Sequence, residues 1–436
     1  MFELFLKVLS AFSSRNIAYQ CIMKKIYILV ILLFSSLSFG LTFKDGKQVD
    51  DSQSNETSEP NNPWKGYPYN SGEIPWDANP DYKILKHYLK KYIGYAKLGN
   101  SYGFEIKKSQ NFKKFSFDLK KDDYVIEQLN ETALLSYLMY VDGKVVVDEI
   151  SPENRFGKIF KNNSKYTSHS MGKSIISYIT GHAICRGYIN GINHKLNDWE
   201  ILENTLYYNQ PLINLLNMAS GDYKYIRDQI GGQFKNSNRW VNEYPIQSFM
   251  KKEMKNTVAA KNIYHYTNLN TNLVASYVLY KMGHKNFKKM LNEIFVDKVG
   301  IEYDIVLKKQ PKAKKNQLSL TYGMHITRYD YLRIAVAMLN DWNDNTCEGQ
   351  YLKSLFKNRI PKSSIIDHAA VKPHNHPHHY GGQFHIGISG KRDKPIFIMA
   401  GFGGQVITID FENNKIIAIL SIHEDHNWMK LVHSKF

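Results

Sequence analysis

The sequence predicts an α/β (α+β) fold, in which an antiparallel sheet is flanked by helices and a mainly helical lobe is inserted between the two halves of the strands. Three observations lead to it. A strand hairpin is predicted at 134–148, a mainly helical pattern runs from about 166 to 350, and strands return after residue 380. Strands on both sides of a long helical segment imply that the two groups join in one sheet.

The elements follow in order along the chain. A helix is predicted at 81–97 from apolar residues at helical spacing. Asp142-Gly143 then separates two β-rich runs, and glycine takes positive φ without strain, which indicates a hairpin. The last strands are predicted at 382–389, 395–400, 406–411 and 416–422. We therefore assign 81–165 together with 352–436 to an α/β lobe and 166–351 to a helical lobe.

Residues 1–40 are interpreted as an upstream extension and a signal peptide, with Met23 as the start. Two lysines precede a short apolar run, and Ser38-Phe39-Gly40 follows it, which is the order of a secretory signal. The apolar stretch is about 16 residues, shorter than the span of about 20 that a bilayer requires. We expect an exported, periplasmic protein with no stable membrane span after leader cleavage; an uncleaved N-terminal anchor is the alternative. Residues 41–80 are predicted to form a flexible or extended arm, because much of this stretch is polar.

Composition and charge exclude several classes of protein. The chain has 436 residues, of which 43% are hydrophobic and 22% charged, so it is neither largely disordered nor a polytopic membrane protein. The net charge of +17 permits an anionic envelope surface as a partner. We expect no nucleic-acid partner, because no recognition motif accompanies the lysines. The densest lysine run, 308–315, is predicted to be an exposed loop.

Three cysteines are too few for a disulfide scaffold. After export, Cys185 and Cys347 could pair in an oxidising compartment. The sequence alone does not say whether they meet.

The chemistry begins with Ser170-Met171-Gly172-Lys173. Positions i and i+3 share a face of a helix, so the lysine amine can reach the serine hydroxyl and act as its base. The residues that follow are apolar or small, and burial lowers the pKa of a lysine. Ser248…Lys251 and Ser354…Lys357 have the same spacing but lie in lysine-rich segments, where we expect a solvated helix face.

Three further elements follow Ser170 in a characteristic order. Leu215-Leu216-Asn217-Met218-Ala219-Ser220-Gly221 lies 45 residues downstream. Tyr266-Thr267-Asn268 opens an apolar helix, and Gly401-Phe402-Gly403-Gly404-Gln405 joins two C-terminal strands. The order and spacing of all four elements, rather than any one of them, carry the assignment.

With these motifs the chain resembles the serine β-lactamase/penicillin-binding-protein superfamily, in its class C branch and most in the form of the 6-aminohexanoate-dimer hydrolases and esterases. The resemblance covers about residues 125–425. It implies an active site in a cleft between the two lobes. It also implies an acylated nucleophile at Ser170, a base at Lys173 and a proton-transferring phenol at Tyr266.

The resemblance implies further roles by matching position. The backbone N–H groups of Ser170 and Phe402 would form the oxyanion hole, with Gly403 as the alternative donor if the match shifts. Asn268 would align the substrate or Lys173. Apart from the resemblance, Gly401, Gly403 and Tyr380 are predicted to bind substrate, Tyr380 from a loop after the histidines that could form the rim of the cleft. Ser220 is interpreted as structural.

One departure from the family pattern bears on the substrate. The Lys-Thr-Gly or His-x-Gly motif of β-lactamases places a cation beside the substrate carboxylate. If Gly401 matches its glycine, Met399 and Ala400 occupy the other two places, and no cation is fixed there. The Gly-x-x-Gly-Gln form instead resembles amide and ester hydrolases of the nylon-oligomer type.

Two groups of histidines receive separate interpretations. His374, His376, His378 and His379 could bind a metal, but two prolines interrupt the run and no cysteine is near, so an exposed loop is predicted. His169 is not expected to serve as the base of Ser170, because adjacent residues of a helix do not face each other. We expect neither a metal nor an organic cofactor.

The sequence thus predicts an exported serine hydrolase that acts on a small-molecule ester or amide. Two alternatives remain open. One is a β-lactamase or D,D-peptidase that acts on β-lactams or peptidoglycan peptides. The other is a non-catalytic envelope-binding protein on the same fold.

Overall fold

The computed structural model describes residues 43–44, 47–48, 66–69, 73–94, 102–226, 245–310, 319–362 and 378–436. The predicted leader at 1–40 lies outside the described residues. The chain divides into two compact units, 1–63 and 64–436. The first contains a two-stranded hairpin of β1 (Phe43–Lys44) and β2 (Lys47–Gln48). All elements below belong to the second unit.

Within the described residues, nine strands form one sheet in the order β10-β11-β12-β13-β14-β15-β5-β6-β4. The strands are β4 (Ser116–Phe117), β5 (Leu134–Val141), β6 (Lys144–Ile150), β10 (Ile360–Pro361), β11 (His379–Gly381), β12 (Phe384–Ile386), β13 (Ile396–Gly401), β14 (Gln405–Asp410) and β15 (Lys415–Ser421). All neighbours pair antiparallel except β4 and β6, which are parallel. This confirms the predicted antiparallel sheet built from two sequence-distant strand groups.

The helices flank this sheet or pack beside it. They are α1 (Tyr82–Gly94), α2 (Asp123–Glu131), α3 (Met171–Cys185), α4 (Leu212–Leu216), α5 (Ile246–Glu253), α6 (Asn268–Asn292), α7 (Arg328–Asn343), α8 (Cys347–Lys357) and α9 (Trp428–Leu431). The predicted hairpin is confirmed at Asp142 and Gly143, whose φ angles are 45° and 91°. No helix in the described part of the chain combines the length and the apolarity that crossing a bilayer requires. The boundary between the two predicted lobes stays a prediction.

Three strands of a second sheet lie inside the segment that the sequence predicted to be mainly helical, and its fourth strand precedes that segment. Its order is β3-β8-β9-β7, formed by β3 (Tyr102–Ile106), β7 (Tyr166–Thr167), β8 (Ile305–Lys309) and β9 (Leu320–Ile326). Strands β8 and β9 were missed because a lysine-rich segment separates them and hides the apolar alternation. The expected exposed loop is therefore wrong at Lys308 and Lys309, which lie in β8. Burial lowers the pKa of the Lys308 amine to about 7. The rest of the lysine run, in residues 311–318, lies outside the described part of the chain.

Helix α3 is the central buried element, because residues 171–183 are all buried. It packs against α6, β9 and β13. At Gly172 a Cβ atom would lie 1.9 Å from the carbonyl oxygen of Tyr322. A glycine there lets the first turn of α3 approach β9 more closely than any side chain permits.

The pairing of Cys185 and Cys347 that the sequence left open is formed. The disulfide joins the last residue of α3 to the first residue of α8, across 162 residues of chain. Such a crosslink restricts the unfolded chain and contributes about 2–5 kcal/mol to stability. The disulfide therefore fixes the C-terminal end of α3, and Ser170 lies at the N-terminal end of the same helix.

We expect the double substitution Cys185→Ser/Cys347→Ser to lower the free energy of unfolding by about 2–5 kcal/mol. Urea denaturation followed by circular dichroism measures this change. The wild-type protein reduced with dithiothreitol is the matched control, since it should lose the same amount. Equal midpoints for oxidised wild type and the double variant would show that the crosslink adds nothing.

Candidate functional site

The predicted pair Ser170 and Lys173 meets at the start of α3. Ser170 precedes the first residue of the helix, with φ −70° and ψ −13°, so the helical spacing already applies to it. The Nζ of Lys173 lies 2.7 Å from the Oγ of Ser170. Lys173 is 1% exposed, whereas Ser170 is only partly buried. The arrangement gives a reachable hydroxyl hydrogen-bonded to an enclosed amine.

Two tyrosine rings enclose this amine. The Nζ of Lys173 lies 4.8 Å from the ring centroid of Tyr266 and 3.8 Å from that of Tyr322. The structure thus brings Tyr266, predicted from its position in the sequence, to the Ser170–Lys173 pair. Tyr322 was missed, because it reaches the site from β9, a strand that the sequence did not reveal.

Two other aromatic rings, those of His385 and Tyr380, contact Tyr266 and restrict its position. It stacks on His385, with ring centroids 6.4 Å apart and planes 21° apart, and it meets the edge of Tyr380 at 6.2 Å. Tyr380 is 1% exposed, and burial raises the pKa of its phenol well above the usual value. Its predicted contact with substrate stays a prediction; its place behind Tyr266 favours a role in orienting that ring.

Asn268 is the first residue of α6, immediately after the N-cap Thr267. The Thr267 side chain accepts a hydrogen bond from the backbone N–H of Asn270, which fixes the start of the helix. Asn268 is fully buried. Both roles that the family resemblance implied, alignment of the substrate or of Lys173, stay predictions.

The glycine-rich turn predicted to supply an oxyanion donor joins β13 to β14. Gly403 and Gly404 have φ angles of 86° and 80°, a region that favours glycine. At Gly401 a Cβ atom would lie 2.9 Å from the carbonyl oxygen of Ser168, so the turn lies directly against the segment that precedes Ser170. This places Phe402 and Gly403, the two predicted donors, in the neighbourhood of the serine.

Gln405 fixes this turn to the serine segment. Its Nε2 lies 3.2 Å from the carbonyl oxygen of Thr167 and 3.4 Å from that of Phe402. One side chain therefore connects the strand before Ser170 to the predicted oxyanion turn. On β13, the strand that leads into this turn, Met399 is buried in the core and Ala400 is partly buried, so neither place carries a cation.

His169 immediately precedes Ser170 in the sequence. Its φ of 42° is uncommon for a residue other than glycine. Its Nδ1 lies 3.2 Å from Glu73 Oε1, and its ring lies 4.9 Å from the ring of Tyr92 and 6.1 Å from that of Phe402. The carboxylate contact fixes the orientation of the ring. That His169 does not serve Ser170 as a base stays a prediction.

Glu73 belongs to the stretch that the sequence predicted to be a flexible or extended arm. Besides the Glu73–His169 contact, a second hydrogen bond fixes this stretch, because His423 Nε2 lies 3.0 Å from the carbonyl oxygen of Ala78. Ile74 between them is fully buried. Residues 73–78 are therefore packed against the fold beside His169 rather than extended away from it.

The other two serine–lysine tetrapeptides lie elsewhere. Ser248 lies in α5 and Ser354 in α8, and Lys251 and Lys357 are both exposed. Ser354 donates its hydroxyl hydrogen bond to the carbonyl of Tyr351 within its own helix. The expectation of solvated helix faces is confirmed for both lysines.

The histidine run is only partly visible. His374 and His376 lie outside the described residues. His378 precedes β11, and His379 is its first residue and is partly buried, so the expected exposed loop is wrong at His379. Among the residues that the structure describes, no three His, Cys, Asp or Glu side chains form a metal-binding group.

Solved structures with a similar fold were found at low sequence identity. A protein named as a 6-aminohexanoate-dimer hydrolase from Bacillus anthracis has a TM-score of 0.59 and 15% identity, over 87% of this chain and 96% of its own. A protein named as a β-lactamase from Bacteroides dorei has a TM-score of 0.51 and 13% identity, over 70% of this chain and 91% of its own. The chain has the β-lactamase/transpeptidase fold. A penicillin-binding-protein homologue from Pyrococcus abyssi, with a TM-score of 0.51, 13% identity and coverage of 72% and 75%, has the same fold.

Comparison by sequence adds nothing to this result. No family model and no curated protein matched the chain. The predicted fold class and the structural resemblance to the β-lactamase/penicillin-binding-protein superfamily are confirmed. The roles of the individual site residues stay predictions.

Proposed function

We propose that the protein is an exported serine hydrolase that cleaves a small ester or amide through an acyl-enzyme on Ser170. One observation carries the proposal: the 2.7 Å contact between Ser170 Oγ and Lys173 Nζ, at an amine enclosed by Tyr266 and Tyr322. A serine hydroxyl is a weak nucleophile until a neighbouring base accepts its proton. Within the β-lactamase/transpeptidase fold this pair lies beside a turn that can donate backbone hydrogen bonds.

Acylation follows from this arrangement. Ser170 Oγ attacks the carbonyl carbon of the substrate while its proton passes to the neutral amine of Lys173. The negative charge that develops on the carbonyl oxygen is stabilised by the backbone N–H groups of Ser170 and Phe402. The Tyr266 hydroxyl transfers a proton to the departing alcohol or amine, which leaves the acyl group esterified to Ser170.

Deacylation reverses these roles with water as the nucleophile. Tyr266 accepts a proton from the water, which attacks the acyl carbon and forms a second oxyanion. Collapse of this intermediate releases the acid, and the Ser170 oxygen recovers its proton from Lys173. Since Met399 and Ala400 offer no cation at the place where β-lactamases carry one, we expect esters and neutral amides to react faster than penicillins.

Export is part of the proposal. The disulfide between Cys185 and Cys347 supports it, because structural disulfides persist in oxidising compartments and are rare in reducing ones.

Intact-protein mass spectrometry tests the proposal. The protein is exposed to p-nitrophenyl esters, short neutral amides and penicillins, and proteolytic mapping locates any adduct. We expect an acyl adduct on the peptide that contains Ser170, with turnover of the esters. A stable penicillin adduct or rapid penicillin hydrolysis would favour the β-lactamase or D,D-peptidase alternative. Absence of an adduct together with absence of turnover would favour the non-catalytic binding protein.

Glu73 is expected to act as a positioning residue for this reaction, through His169. Removal of its carboxylate in Glu73→Ala should free the His169 ring, which contacts Phe402, and lower kcat about tenfold with little change in KM. Glu73→Gln retains a hydrogen-bonding side chain and should recover most of the loss. Steady-state kinetics and melting temperatures of both variants check this. Unchanged kcat in Glu73→Ala, or a loss that merely follows the melting temperature, would contradict the positioning role.

A further inference from the structure

A short segment at the edge of the large sheet combines exposed apolar side chains with lysines at both of its ends. Its sequence, residues 113–121, is Lys-Lys-Phe-Ser-Phe-Asp-Leu-Lys-Lys. Strand β4 within it is the terminal strand of the nine described strands and pairs only with β6 among them. We call residues 113–121 the edge segment.

The apolar side chains of the edge segment alternate, so they lie on one face of an extended chain. Phe115 at the inner end is partly buried, with ring centroids 6.3 Å from Tyr140 and 6.1 Å from Tyr329. Phe117 and Leu119 continue the same face but are 50% and 59% exposed. At this edge, the apolar face that packs on the core at Phe115 therefore continues as the solvent-exposed side chains of Phe117 and Leu119.

The backbone keeps this segment extended beyond the end of β4. The N–H groups of Asp118 and Lys120 donate to the carbonyl oxygens of Val145 and Val146 on β6. Phe117 and Leu119 alternate with these donors along the strand. The two apolar side chains are therefore held at fixed positions on an ordered backbone.

Lysines outnumber acidic residues within the edge segment itself. Lys114, Lys120 and Lys121 are exposed, and so is Lys144, which pairs with Ser116 across the strands. Within the edge segment Asp118 is the single acidic residue, against four lysines. Lys121 pairs with Asp123 at 2.5 Å, but the two side chains are 72% and 83% exposed, so this ion pair is readily exchanged for another anion.

From these observations we propose that the edge segment docks the protein on an anionic lipid surface. Phe117 and Leu119 enter the headgroup region, and the lysines at both ends contact lipid phosphates. Exposed apolar side chains flanked by basic residues fit the boundary between headgroups and acyl chains, where each basic residue adds a small, salt-sensitive attraction. The net charge of +17 favours approach to such a surface.

Docking by this edge leaves the proposed active site accessible. The turn that contains Phe402 immediately precedes β14. Three strands, β15, β5 and β6, lie between β14 and β4 in the sheet. At about 4.8 Å per strand this places the two about 19 Å apart across the sheet. The inference does not depend on the proposed hydrolase function.

Vesicle co-sedimentation tests the proposal, on the full chain so that every variant has the same N-terminus. We expect the wild type to sediment with vesicles of phosphatidylglycerol and phosphatidylcholine, and much less with phosphatidylcholine alone or at high salt. Phe117→Ser/Leu119→Ser and Lys120→Glu/Lys121→Glu should each lower the partition coefficient about tenfold or more. Val258→Ser is the matched control, since Val258 is 74% exposed elsewhere on the surface and its loss should change nothing.

Three results would overturn the proposal. One is equal sedimentation of the wild type and both double variants. Another is equal binding to anionic and neutral vesicles. The third is salt-sensitive binding to heparin that requires the lysines but is unaffected by the Phe117 and Leu119 substitutions, which would indicate a soluble polyanion instead. Circular dichroism of each variant establishes that a loss of binding does not reflect unfolding.

Discussion

Ser170→Ala is expected to abolish the covalent adduct and to lower kcat for a p-nitrophenyl ester about 10⁴–10⁶-fold. Removal of the nucleophile causes a loss of this size in other serine hydrolases, where binding and oxyanion stabilisation leave a residual rate. Methyl replaces hydroxyl at a partly buried position, so the folded state should be retained. Steady-state kinetics and labelling with a fluorophosphonate probe measure the two effects.

The chain supplies its own control for this substitution. Ser354 occupies a tetrapeptide of the same spacing on α8, where its hydroxyl bonds the carbonyl of Tyr351. Ser354→Ala should therefore retain wild-type labelling and rate. If Ser170→Ala is still labelled while Ser354→Ala is not, the nucleophile has been assigned to the wrong helix.

Lys173→Met should lower kcat/KM about 10²–10⁴-fold, the usual contribution of a positioned base. Methionine fills a similar volume beside Tyr266 and Tyr322 but has no amine to accept the Ser170 proton. Lys173→Arg should be nearly as slow, because a guanidinium remains protonated and cannot act as a base. Single-turnover kinetics with an activated ester separates slow acylation from slow deacylation.

Lys357→Met is the corresponding control, because Lys357 is exposed on α8. It should leave kcat/KM unchanged. Full activity of Lys173→Met would assign the base to another group, and Tyr266→Phe would then be the variant to measure.

Much of the candidate site is local in sequence and could be predicted from it. Ser170 and Lys173 are three residues apart on a helix, so helical geometry alone brings them together. The turn at Gly401 to Gln405 is signalled by glycines that adopt positive φ. Tyr266 could be placed only through the order and spacing of several motifs, because nothing near it indicates which segment it contacts.

The remaining site residues depend on contacts that no local pattern records. Tyr322 reaches Lys173 because β9 passes beneath Gly172, and β9 lies in a region that was interpreted as mainly helical. Glu73 meets His169 across 96 residues of chain. His385 stacks on Tyr266 because β12 pairs with β13, a relation that depends on the register of the sheet. Each of these contacts requires the tertiary structure.

The position of β15 in the sheet has a consequence for how the molecule is made. β15 lies between β14 and β5, so β5 obtains its second neighbour only when residues 415–421 arrive, more than 270 positions later. Until then a growing chain presents β5, rich in leucine and tyrosine, as an open edge that can template pairing with other chains. Ribosomal synthesis that stalls before residue 415 should therefore yield aggregating fragments rather than a smaller folded protein. A chaperone that holds the chain until the sheet closes would reduce this aggregation.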